Sequence, residues 1–358
     1  MMGRMRESPI NTPSNADPGL GRPPDTSTIV GERPQSWQQA LANAVRQPEQ
    51  LFELLALPRQ ALPAARRAAR LFPLRVPRAY LSRIQTGCLD DPLLRQVLPI
   101  HLELTSPRHF VDDPVGDHQA LRGNGLLQKY RNRALIITTS ACAIHCRYCF
   151  RRHFPYADQR LGHQEWHTLI DSLSRMPDVN EIILSGGDPL TLSTARLQTL
   201  TSDLATLPSI RTLRIHTRLP VVLPDRIDEA LCHWLSTLPF RTVMVIHCNH
   251  AQEIDESVRQ ALSRLSATGV TLLNQAVLMR GVNDTLADQI SLHTSLFEQR
   301  VIPYYLHMLD RVRGSAHFEV PETQAGALLE QMRQHLPGYL VPRLVREVAG
   351  AAYKVPLR

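Results

Sequence analysis

Lysine is almost missing from this chain of 358 residues: Lys129 and Lys354 stand against 38 arginines. Chemistry that needs a primary amine, such as a Schiff base to a carbonyl cofactor, is thereby confined to two positions, because arginine stays protonated. Long apolar runs are also absent. None approaches the roughly 18 residues of a membrane span, and the opening stretch MMGRMRESPINTPSNADPG lacks the apolar core of a secretory signal. Cysteines number six, and Cys88, Cys232 and Cys248 are scattered. That argues against a disulfide framework and for a reducing, cytoplasmic setting with free core thiols. Aromatic residues make up 5%, and no basic stripe interleaved with aromatics offers itself to a nucleic acid. The net charge of +7, from 40 basic and 33 acidic side chains, can steer an anionic partner or simply dress a surface.

What is present centres on Ala141–Phe150, ACAIHCRYCF, where Cys142, Cys146 and Cys149 form a C-x3-C-x2-C run. Three thiolates this close can hold three irons of a [4Fe–4S] cubane, which normally takes four protein ligands, so one iron is left for a small molecule. Zinc is the competing reading. It asks for a fourth ligand at suitable spacing, and His145, inside the run, is too near its neighbours in sequence to share an ion with them.

Around this loop the chain has a regular order. Residues 1–34, rich in Pro, Ser, Asp and Gly, read as a flexible tail. Residues 35–110 read as a helical N-terminal region, from the Ser-capped SWQQALANAVRQPEQLFELLAL and from ALPAARRAARLF; 111–128 look irregular. Strand-like runs follow at 134–139, 181–185, 212–217, 242–247, within 270–278, and at 301–307. Helical segments near 164–175, 195–206, from 225, 253–268 and 285–298 separate them. Such alternation predicts parallel strands with right-handed crossovers. Six units are too few for a closed eight-fold barrel, so an open, partial (β/α)6 barrel over 111–320 is expected, with 321–358 as a C-terminal segment. An open doubly wound sheet is the alternative.

Candidate site residues fall just after predicted strands or in the tail. Gly186, Gly187 and Asp188 form a GGD turn where backbone can approach a ligand and a carboxylate can accept from an ammonium. Arg151, two residues beyond Cys149, suits a substrate carboxylate through its planar fork. Lys354 is a candidate to carry pyridoxal phosphate (PLP), with Lys129 as competitor. Asp310 and Glu347 would attract a distal ammonium, or pair with nearby arginines on the surface.

CAIHCRYCFRRHFP, LSGGDPL, RIHTRLPVVLPDRI, HCNHAQEID, GVTLLNQAVLMRGVND, PYYLHMLDRVRGSAHF and the near-terminal lysine resemble lysine 2,3-aminomutases of the radical S-adenosylmethionine (radical SAM) superfamily. The likeness runs from about residue 110 to the end, and the segments before it resemble the short bacterial branch. The resemblance implies a PLP-dependent enzyme converting L-α-lysine to (R)-β-lysine for attachment to translation elongation factor P. Cys142, Cys146 and Cys149 would hold the cluster, whose open iron binds S-adenosylmethionine. Lys354 would hold PLP and Arg133 would contact its phosphate. Arg151 would bind the α-carboxylate of lysine, and Asp310 and Glu347 its ε-ammonium, with glutamate standing where clostridial relatives have aspartate. Gly186, Gly187, Asp188 and Gln275 would lie near S-adenosylmethionine. An electron donor such as flavodoxin or ferredoxin, and a functional link to elongation factor P and its lysyl-ligase, are further implied. No membrane association is expected. The cysteines that hold structural zinc in clostridial tails have no counterpart after Cys248, and the glycine-rich stretch before the lysine is reduced to AGAAY. An aminomutase for another amino acid, a radical SAM enzyme without PLP, and a non-catalytic binding module are the rivals.

Overall fold

The protein is described by a computed structural model covering residues 36–357, apart from Asn124 and Arg160; the tail expected over 1–34 lies outside the described residues. A nine-stranded sheet runs in simple order: β1 (Leu126–Tyr130), β2 (Arg133–Thr139), β3 (Glu181–Gly186), β4 (Thr212–Thr217), β5 (Arg241–Ile246), β6 (Thr271–Val277), β7 (Ile302–His307), β8 (Arg343–Arg346) and β9 (Val355–Pro356). Strands β2 through β8 pair in parallel, while β1 and β9 close the two edges antiparallel. The six anticipated strands are β2–β7, and they form the expected partial barrel. The tail extends it, because β8 adds parallel to β7 and β9 turns back on β8.

Helices cover the outer face because their apolar residues recur at helical spacing. They are α4 (His163–Ser174), α5 (Thr194–Ala205), α6 (Glu229–Thr237), α7 (Glu256–Ala267), α8 (Leu286–Glu298) and α9 (Glu322–His335), after α1 (Trp37–Ala42), α2 (Pro48–Leu54) and α3 (Leu62–Leu71) of the N-terminal region. In α4 the buried residues are Trp166, Leu169 and Leu173, and in α7 they are Val258, Ala261, Leu262 and Leu265. Side-chain oxygens start several of these helices: Ser193, Asp228, Asp255 and Thr285 accept from backbone N–H groups of the first turn. The helix expected from 225 begins only at Glu229: Pro224–Arg226 form a short 3-10 turn, and Asp228, two residues beyond it, caps α6. Helix α9 and strands β1, β8 and β9 were not anticipated. None is a long apolar run: β8 is RLVR and β9 two residues.

The N-terminal helices share the barrel's hydrophobic core, with Leu51, Leu55, Leu81 and Leu94 joined to Ile182, Leu213 and Met244. Arg83 reaches across the join to the carbonyl of Val221 at 2.8 Å. No helix among the described residues is long and apolar enough to cross a membrane.

Candidate active site

Every strand of the parallel set ends on the same rim, so residues far apart in sequence meet there. The cysteine loop follows β2, the GGD turn closes β3, Thr217 ends β4 and Arg218 follows it, His247 follows β5, Asp310 follows β7 and Glu347 follows β8. Together they line a cavity of about 440 Å³. All twelve candidate residues border it: Cys142, Cys146, Cys149, Arg133, Arg151, Gly186, Gly187, Asp188, Gln275, Asp310, Glu347 and Lys354. Lys129 does so as well.

The cysteine loop is clamped from two sides. The GGD turn donates back to it, Gly187 N to Thr139 O and Asp188 N to Ala141 O, both at 2.7 Å. Both glycines are required here. Gly186 has φ 110°, and a Cβ would sit 2.7 Å from the Thr139 carbonyl; at Gly187 a Cβ would overlap the Ala141 carbonyl. From the other side the N-terminal region holds the loop's outer edge, with Arg147 N donating to Gln96 O at 2.9 Å. Burial pushes the Cys142 thiol up and Cys149 to about 11, and the neighbouring thiols push in the same direction. Among the described residues no three His, Cys, Asp or Glu side chains converge on one point as ligands of a single ion do. A cubane does not ask this of them, since each thiolate takes its own iron.

Sequence reasoning missed the buried network behind Cys146. Arg218 donates to the Cys146 sulfur at 2.8 Å, to Gln96 at 2.6 Å and to Glu253 at 2.9 Å. Glu253 is fully buried. An arginine directly after a strand was the available signal.

Asp188 is built into the frame. Its carboxylate accepts from Thr217 Oγ1 at 2.7 Å, Arg218 N at 2.7 Å and Leu190 N at 3.1 Å. Burial raises it to about 6 against those hydrogen bonds. It ties the end of β3 to the end of β4.

Arg151 is buried and oriented by Asp117, another residue missed in a stretch read as irregular. Its Nε donates to Asp117 Oδ2 at 2.7 Å and its Nη1 to Ser185 at 3.2 Å. Its Nη2 has no hydrogen-bond partner among the described residues. Lys129 also pairs with Asp117, at 2.7 Å, and donates to Val115 O at 2.8 Å. Burial alone would raise the Asp117 carboxyl, but the two cations overcome it and hold it at about 2.

On the opposite strands, Lys354 donates to Glu347 at 2.5 Å, and Tyr130 donates to the same carboxylate at 3.0 Å. The Lys354 amine stands 5.9 Å from the Tyr305 ring centre. Arg133 lies over the Tyr130 ring at 4.4 Å, with only a 4.0 Å contact to Glu181. Asp310 differs from all of these. Its carboxylate has neither a hydrogen bond nor an ion pair among the described residues, and burial pushes it up to about 7 despite the field of Lys354.

Three strand-end histidines complete the wall. Gln275 Nε2 donates to His247 Nε2 at 2.7 Å, and burial holds His247 near 3. His216 and His307 are lowered for the same reason, and each has a buried Nε2 without a partner. Neutral imidazole edges on a cavity wall are ready partners for a ligand's polar atoms.

The Radical SAM superfamily model matches residues 136–237, which span β2 to the end of α6. The chain is 44% identical over 324 residues to the L-lysine 2,3-aminomutase of Escherichia coli (strain K12), covering 90% of this chain and 94% of that protein. Identity to the L-lysine 2,3-aminomutase of Haemophilus influenzae is 41% over 320 residues, covering 89% and 95%. To that of Clostridium subterminale it is 31% over 330 residues, covering 90% and 77%.

Proposed function

From the premise that the chain belongs to the lysine 2,3-aminomutase family of radical SAM enzymes, and is therefore an isomerase, we propose that it is PLP-dependent and converts L-α-lysine to (R)-β-lysine. In this reading the product serves the modification of elongation factor P.

The family implies a [4Fe–4S] cluster and S-adenosylmethionine, and the residues present suit them. Three free thiols border the cavity, and a glycine backbone closes beside them. PLP also suits the residues present. Lys354 offers a primary amine, Arg133 a guanidinium with one distant carboxylate, and His216 and His307 buried nitrogens without partners. Cys142, Cys146 and Cys149 would hold the cluster, Gly186, Gly187, Asp188 and Gln275 would border S-adenosylmethionine, and Lys354 and Arg133 would hold PLP. When bound, these groups supply a carbon-centred radical that abstracts hydrogen and a conjugated ring over which an unpaired electron spreads.

The chain's own residues bind, orient and insulate. Arg151, aimed by Asp117, offers its Nη2 edge to the α-carboxylate of lysine. Asp310 and Glu347 receive the ε-ammonium. Fixing both ends sets which carbon faces the reactive centre. Apolar walls from Val115, Leu127, Ala134 and Val277 limit water around a reactive species.

The observation that carries this reading is Asp310: a half-buried carboxylate on the cavity wall, without a hydrogen bond or ion pair among the described residues, is matched by a substrate's ammonium. A glutamate substrate would need a cation there. Equilibrium binding of L-lysine and of L-norleucine, which lacks the ε-amine, tests it. Lysine should bind at least 100-fold more tightly; equal affinities overturn the assignment. Loss of the β-lysyl mass from elongation factor P on deletion of the gene tests the proposed destination.

A further inference from the structure

The positive charge of this chain is not spread evenly. Residues 54–89 contain seven arginines and no Asp or Glu, while the remainder carries 33 basic and 33 acidic side chains. The whole net charge therefore arises from one 36-residue segment of the N-terminal region.

That segment lies on the outside of the cysteine loop. His145 N donates to Arg75 O at 2.9 Å, and the His145 ring bonds Pro73 O at 2.9 Å. Phe72 stacks on the His145 ring with centres 5.3 Å apart. Arg147 donates to Phe72 O at 2.8 Å. Arg66, Arg67 and Arg70 form an exposed stripe on α3, since positions three and four apart share a helix face. Of these, Arg66 pairs with Glu49, whereas Arg67 and Arg70 have no acidic partner among the described residues. The antiparallel bridge Val45–Val76 sets Arg46 beside Arg75, next to the loop. Leu71, 56% exposed, adds an apolar contact at the end of the stripe.

We propose that this face, Arg46, Arg67, Arg70 and Leu71 over Phe72 and His145, docks the acidic one-electron carrier protein that reduces the cluster. The inference rests on reading Cys142, Cys146 and Cys149 as the cluster loop. One electron leaves the carrier and one enters the cluster, with no bond made or broken. In the proposed function the cavity face of the loop receives S-adenosylmethionine and substrate, which leaves the outer face as the route for an electron, and the His145 ring adjoins Cys146 in sequence. Electron-transfer encounters use small interfaces, and a surface of one charge sign raises their rate and makes it fall with salt.

The test uses the reconstituted enzyme, with iron content and visible absorbance recorded before reduction. Stopped-flow reduction by reduced flavodoxin is compared with reduction by photoreduced deazaflavin, a small reductant that needs no docking face. Arg67→Glu/Arg70→Glu should slow the flavodoxin reaction at least tenfold and leave the deazaflavin reaction unchanged. Half-molar salt should slow the wild-type flavodoxin reaction similarly. The neutral Arg67→Gln/Arg70→Gln variant should fall between. Equal flavodoxin rates in wild type and variant overturn the proposal, as does equal slowing with both reductants. So does salt-dependent binding of transfer RNA that the variant loses while its flavodoxin rate is untouched. Failure of the wild type to take up iron is read separately and strikes the cluster reading, and this inference with it.

Discussion

Lys354 and Glu347 are joined by a 2.5 Å hydrogen bond between ammonium and carboxylate at the mouth of the cavity. Burial would raise the Glu347 carboxyl, but Lys354, Lys129 and the Tyr130 phenol more than offset this and hold it below its ordinary value. The site proposed for a substrate ammonium thus already suits a primary ammonium of the chain. The tail places both groups: β8 leads to Glu347, and β9 pairs back on β8 so that the turn carries Lys354. Replacing Lys354 with Ala should abolish the visible absorbance of protein-bound PLP, while Lys129→Ala should retain it. An unchanged band in Lys354→Ala would move the cofactor elsewhere.

Asp310 should trade stability for binding. It titrates near 7 in the folded protein and near ~3.9 in an unfolded chain. Between those values the native state holds more protons, so this group's contribution falls as pH rises through the window. Asp310→Asn should therefore raise Tm at pH 8 and change it little at pH 4. It should also weaken lysine binding by about tenfold or more, the worth of a hydrogen bond to a charged group. A variant that loses stability at pH 8, or binds lysine as before, would contradict the assignment.

Asp117 has the opposite sign. Its carboxyl is held at about 2 by Arg151 and Lys129, so its contribution is present above ~3.9 and lost as pH falls toward 2. Asp117→Asn leaves two cations without their anion and should cost about 3 kcal/mol in urea unfolding at pH 7. The difference should shrink as the pH falls below ~4. The KM for lysine should rise as well, because Arg151 loses the group that aims it.

Arg218 joins the N-terminal region, Cys146 and the fully buried Glu253. Arg218→Met should destabilise the protein by about 3–5 kcal/mol in urea unfolding, since a buried carboxylate loses its cation. A loss below 1 kcal/mol would show that Gln96 and the backbone of Asn249 suffice for Glu253.

Six parallel strands were legible because each is a short apolar run between helical segments, and the strand-end rule then gave the cysteine loop, the GGD turn and Asp310 their common rim. Other parts could not be read this way. Asp117 sits in DDPVGDHQA, where nothing periodic sets it apart, and its role exists only because Arg151 and Lys129 fold onto it. The pairing of β8 with β7 is fixed by tertiary contact rather than by the four residues RLVR. His216, His247 and His307 each stand at a strand's C-terminal end, so a search for polar residues there would have found them. The concentration of charge in 54–89 was legible from counting alone, but its meaning required knowing that Phe72 and Pro73 lie against His145.

The most direct test is anaerobic turnover of reduced, reconstituted enzyme with L-[2-15N]lysine, followed by NMR of the product. The account predicts (R)-β-lysine with 15N bonded to C3 and lysine consumed in step with it. Unrearranged lysine recovered from enzyme that carries cluster, S-adenosylmethionine and PLP would contradict it.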